Sequence, residues 1–174
     1  MSLFDIILLI IIAGFGLAGF FFGLIQTITS LLGSIVAIFV SFRFYAPVSE
    51  WILSKTSWDE NLARVITFIV VFILINRLVV FIFWILSKAF SLVTNLPFIH
   101  SANQTLGFFF GIFEATVILG VVFYFIVRFP ISDKFMDALA VSRVAPVTEK
   151  VASIFVPLIP EAIQRIKSVV EIFN

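Results

Sequence analysis

Ionisable side chains are scarce in the apolar stretches of this chain, so the few that occur there are the first candidates for chemistry. Asp5, Asn76, Arg77 and Glu114 stand out. A charge at membrane depth is costly, and it either pairs or faces a polar cavity. Asp5 lies near the start of the first apolar run and reads as a helix N-terminal charge. Arg77, next to Asn76, and Glu114 lie deeper and need partners. Two readings stay open for them: a structural ion pair and a polar transport path. His100 is the sole histidine and there is no cysteine. That set falls short of a haem or metal site, of a Ser/His hydrolase and of thiolate chemistry. No enzymatic activity, metal or cofactor is expected.

Small residues form the second pattern. Gly14-Phe15-Gly16-Leu17-Ala18-Gly19 matches the dinucleotide fingerprint letter for letter. It lacks the preceding strand and the phosphate-accessible helix start that give that motif its chemistry. Close helix contact is the physical reading. Gly14, Gly16, Gly19 and Gly23 would pack against Gly107, Gly111 and Ala115 as smooth ridges on two helices. Ser30, Ser34, Ala37 and Ser41 make a third small-residue stripe. The alternative for all of these is the lining of a pore.

The elements that must position these residues follow from composition. Of 174 residues, 62% are hydrophobic and only 12% charged, and mean hydropathy is +1.24. Soluble domains are roughly half apolar and a quarter charged, so the chain reads as an integral membrane protein whose first partner is the lipid bilayer. A net charge of +1 offers no basic field for nucleic acid. Apolar runs at 6–25, 28–45, 65–86 and 106–127 approach the roughly 20 residues that span the hydrocarbon core. They lack the alternation of barrel strands. The expected fold is therefore an all-α polytopic membrane domain of about four transmembrane helices over 1–129.

The first run is read as a retained span rather than a signal peptide, because Asp5 stands where a positive residue would be expected. Between the first two runs, Gln26, Thr27, Thr29 and Ser30 mark the expected break. Capping boxes are expected at Ser57 to Glu60 and Ser101 to Gln104, with a looser version at Ser2 to Asp5. Pro47 and Pro97 are expected in connections. Beyond 129 hydropathy falls. Val147, Val151, Ile154 and Phe155, then Ile163, Ile166, Val170 and Phe173, repeat at helical spacing. The tail 130–174 is thus expected to form amphipathic helices at the membrane interface, resting on the spans or on a partner.

With four spans, Arg43, Lys55, Arg64, Arg128, Lys134 and Arg143 fall on one side and Lys88 on the other. The excess of positive residues assigns that side, with both termini, to the cytoplasm. Arg77 and Glu114 then come to matching depths on neighbouring helices, which suggests an ion pair.

Taken together, these features resemble the bacterial colicin V production protein (CvpA) family. They are an Asp opening the first span, a glycine series ending it, and a fourth helix reading Asn103-Gln104-Thr105-Leu106-Gly107 and then Phe110-Gly111. The resemblance covers roughly Phe4 to Val127. It implies a multi-pass inner-membrane protein involved in production or export of the toxin colicin V and in envelope homeostasis, without a defined chemical activity. Two functional classes follow: an accessory or scaffold protein that packs with other membrane proteins or with copies of itself, and a small oligomeric transporter or channel.

The topology is directly testable. Single cysteines introduced at Ser57 and Ser101 are expected to react with a membrane-impermeant thiol reagent from opposite sides. Reaction of both from one side would end the four-span arrangement.

Overall fold

The computed structural model of the chain describes residues 2–89 and 99–158. α1 (Leu3–Leu53), α2 (Glu60–Ala89) and α3 (Ile99–Arg128) are each long and apolar enough to cross a membrane. α4 (Asp133–Val141), α5 (Ala145–Ala152) and a 3-10 turn (Ser153–Leu158) follow, and no strand occurs among the described residues. Ile10, Phe21, Leu74 and Phe109 are 61–75% exposed. An outer surface of that character belongs against lipid rather than water. The chain is an all-α polytopic membrane protein.

α1 is not one rod. Straight, its 51 residues would extend about 77 Å, more than twice the hydrocarbon thickness. Gly23 breaks it with φ 81° and ψ 173°. Contacts on either side of the break fix its direction. Along the first arm (residues 3–22), Phe4 meets Phe123, Gly16 lies against Ile112 and Gly19 against Gly107, so this arm runs antiparallel to α3. Along the second arm (24–53), Ser30 and Ser34 reach Glu114, Phe42 meets Phe125 and Tyr45 meets Phe129, so this arm runs parallel to α3. The arms are therefore antiparallel to each other, and Gly23 is the turn of a helical hairpin. α2 runs back along the second arm, with Phe68 beside Phe42 and Asn76 beside Ser34. The chain thus presents about four membrane segments.

The break falls at Gly23, ahead of the Gln26 to Ser30 cluster where it was expected. Only glycine takes a positive φ without steric cost. The turn also strips N–H groups of their helical acceptors, and such groups must be satisfied within the protein at membrane depth. The Leu24 N–H donates to Asn103 Oδ1 at 3.0 Å, and the Thr27 hydroxyl donates to the Gly23 carbonyl at 2.8 Å. Glycines elsewhere let the first arm touch α3 backbone to backbone. A Cβ at Gly19 would overlap the Gly107 carbonyl, one at Gly111 would overlap the Phe15 carbonyl, and Ala115 is buried one turn further on. Gly14 corrects the packing assignment: nothing lies within 4 Å of the position its Cβ would take.

Away from Gly23 the bundle is filled by aromatic rings. Phe68 and Phe125 stack at 4.3 Å and 13°, with Phe42, Tyr45 and Phe129 packed around them. Lipid tails are as apolar as these rings, so the gain lies in close packing and ring geometry rather than in escape from water. Arg64 covers the Phe129 ring and Asn61 donates to the Pro130 carbonyl, which closes this end of α2 onto α3.

Asp5 ties the same end together. Its carboxylate caps its own helix, accepting from the Ser2 N–H while the Ser2 hydroxyl accepts from the Asp5 N–H. Its Oδ1 accepts the Ser142 hydroxyl at 2.6 Å and the Arg143 N–H at 3.0 Å. Leu8, Phe123, Val127, Leu139 and Ala145 pack beneath it. From there α5 runs back along α3, where the Thr148 carbonyl sits on Gly120 and Ala152 joins the aromatic core. Gly120 is about 12 Å inside the Arg128 end of its helix. Ile163, Ile166, Val170 and Phe173 lie outside the described residues.

Local starts differ from expectation at two helices. Asp59, not Ser57, caps α2 by accepting from the Leu62 N–H. α3 starts at Ile99, so Ser101 falls in its first turn. The helix also continues through Pro47. Lacking an N–H, Pro47 cannot donate to the carbonyl of Arg43 one turn back, which weakens the helix at that point.

Two stability predictions follow from these contacts. Gly19→Ala, which meets backbone, is expected to lower the thermal midpoint in detergent by far more than Gly14→Ala, whose cost should stay within about 0.5 kcal/mol. Asp5→Ala removes the acceptor of the Ser142 and Arg143 groups, so it should expose the chain after Phe129 to limited proteolysis while the spans still insert. Unchanged cleavage would show that the Asp5 contacts do not hold the tail.

Candidate functional site

Polar side chains that the sequence scatters over three helices meet near the middle of the bundle. Glu114, on α3, is 3% exposed. Its Oε1 accepts two hydroxyls from the second arm, Ser30 at 2.7 Å and Ser34 at 2.9 Å. Asn76 on α2 donates from Nδ2 to the Ser34 hydroxyl at 2.8 Å, which completes a chain across three helices. Interhelical hydrogen bonds in membranes average only about 0.6 kcal/mol, so the cluster orients these helices more than it stabilises them. Ser30 and Ser34 reach Glu114 because they lie one turn apart on one helix face.

The cluster forms part of the floor of a cavity of about 910 Å³. One wall is the first arm, with Ile11, Gly14, Phe15, Ala18 and Phe22, and the other is α2, with Ile69, Phe72, Ile73 and Arg77. Gln26, Thr27 and Ser30 lead from the Gly23 end down to Glu114. Ile11, Gly14, Phe15, Phe22, Ile73 and Arg77 remain exposed, so the cavity opens sideways between the first arm and α2. Glu114 lies about 21 Å from the Arg128 end of α3. Below it the cavity stops at Phe72 and Val122, where the aromatic core begins.

Of the residues singled out from sequence, Asn76, Arg77 and Glu114 share this cavity, whereas Asp5 belongs to the contact with the tail. The suggested ion pair does not form: the carboxylate of Glu114 takes serine hydroxyls instead, and the ion pair among the described residues is Arg64 with Glu60. Arg77 lines the cavity with no hydrogen bond or ion pair to any described residue. Sequence reasoning assigned Ser30 and Ser34 to helix contact. Their spacing relative to each other was the available signal, but their register against Glu114 depends on the hairpin. Asn103 was read as part of a helix cap, and it caps the second arm across the bundle rather than its own helix.

No curated protein and no solved structure gives a match to this chain. The colicin V production protein family does match, over residues 4–153, which extends beyond the spans into α4 and α5. That range contains the hairpin at Gly23, the Glu114 cluster and the tail contact at Asp5, and the chain belongs to the colicin V production protein family.

Proposed function

We propose that this chain is an accessory protein of the bacterial inner membrane that holds other membrane proteins, and through them serves toxin production or export and envelope homeostasis. Both termini lie in the cytoplasm in this reading, following the excess of Lys and Arg at the end where Asp5, Arg64 and Arg128 gather. No reaction is assigned to it. The observation that carries the reading is the shape of the cavity. It opens sideways, toward the membrane, and ends blind on Phe72 and Val122 above the packed rings of Phe42, Phe68 and Phe125. A conducting path needs a continuous polar or wettable lining, and within one copy this cavity gives way to the aromatic core.

The second reading, a small oligomeric transporter, draws on the Arg77 and Glu114 side chains at the cavity, since ionisable groups within spans often mark solute paths. Flux separates the two. The purified chain reconstituted in vesicles is expected to pass sodium, potassium, protons and small organic anions no faster than protein-free vesicles. Flux above that background which Glu114→Gln diminishes would replace the accessory reading with transport.

A further inference from the structure

We infer that the lateral cavity is a docking groove for a transmembrane helix of another protein that carries an acidic side chain at the depth of Arg77. The inference rests on the accessory reading above and names the chemistry of the partner.

Arg77 carries the argument. It lies within a candidate span, is exposed, and has no hydrogen bond or ion pair to any described residue. An arginine at this depth is costly unless it pairs or faces a polar cavity, and an anion brought to the side opening would pair it. Glu114 shares the cavity, but it is buried behind Ser30 and Ser34 and lies beyond ion-pair distance of Arg77. A second copy of this chain brings nothing better. No other acidic residue occurs between Asp5 and Glu50 or between Glu60 and Asp133, so a second copy offers only its own buried Glu114 at that depth. A lipid phosphate is out of reach as well. Arg77 is about 12 Å from the Ile85 end of its candidate span and about 26 Å from the Glu60 end, still beyond the length of its side chain. What remains is a carboxylate carried into the bilayer on a helix.

The groove suits such an occupant. Its first wall offers Gly14 and Ala18 one turn apart, with open space over Gly14, which is the small-residue surface that lets two helices approach closely. Ile73 on the opposite wall is 50% exposed, ready to pack an apolar helix flank.

The test uses the full chain in lipid vesicles with a donor dye on a cysteine introduced at Ser57. The probes are synthetic Leu/Ala transmembrane peptides carrying an acceptor dye and one central Glu, Leu or Lys, and energy transfer reads association. The Glu peptide is expected to associate about threefold more tightly than the Leu peptide, the scale of one interhelical polar contact. Arg77→Gln should erase that preference, and Arg77→Glu should transfer it to the Lys peptide. Gly14→Leu, which fills open space, should weaken binding of the Glu peptide. Equal binding of Glu and Leu peptides, both excluded by Gly14→Leu, would leave the docking reading in place and sink the charge pairing. A Glu preference that survives Arg77→Gln also overturns the inference. If no peptide associates, the groove is not a helix dock and the inference fails, while the accessory reading still stands or falls on the flux measurement.

Discussion

A hydrogen bond between residues 79 apart in sequence, from the Leu24 N–H to the Asn103 side chain, fastens the turn of the hairpin to α3. A chain that reverses at the edge of a bilayer has to leave helical geometry, and each group so released must find a partner in the protein. Gly23 supplies the backbone conformation and Asn103 supplies the acceptor, and neither substitutes for the other. A Cβ at Gly23 would combine a disfavoured φ with a collision against the Asn103 amide. The reversal also sets the register of everything that follows. It lays the first arm on α3 so that Gly19 meets Gly107, and returns the second arm so that Ser30 and Ser34 arrive at Glu114.

Asp5 performs the matching task at the opposite end. Its carboxylate accepts from the start of its own helix and from the loop before α5, so the first and last described helices are joined through one buried group. Buried carboxylates persist where every lone pair has a donor. With that contact made, α5 is aimed back along α3, and Gly120 provides the space for the Thr148 carbonyl. The spans and the described part of the tail therefore form a continuous packed unit, in keeping with a family match that continues to residue 153.

Much of this was legible without coordinates, for identifiable reasons. Composition and run length establish a helical membrane protein because the bilayer admits so few backbone arrangements. The close approach of Gly19 to Gly107 accords with the small-residue spacing, whereas Gly23, read from the same spacing as a packing position, turns the chain. What local pattern could not supply was direction and register. The 26–30 cluster resembles a turn because its residues are polar, yet those residues serve a buried carboxylate, while the turn itself is made by a glycine inside an apolar run. Gly14 belongs to the same motif as Gly16 and Gly19 but points into open space, since neighbouring positions on a helix face different directions. The capping serines failed for a related reason: Asp59 takes the role expected of Ser57, and α3 already starts at Ile99, ahead of Ser101.

Arg77 and Glu114 show how a bundle this small keeps a base and an acid apart within one cavity. Both serine hydroxyls meet the same oxygen, Oε1, so the carboxylate is anchored to the second arm at a position beyond ion-pair distance of the guanidinium. The arrangement leaves the acid committed to holding the second arm against α3 and α2, and leaves the base available at the side opening. Structural and recognition roles are thereby divided between residues that sequence analysis had paired, and the division follows from the hydroxyl stripe that the hairpin delivers.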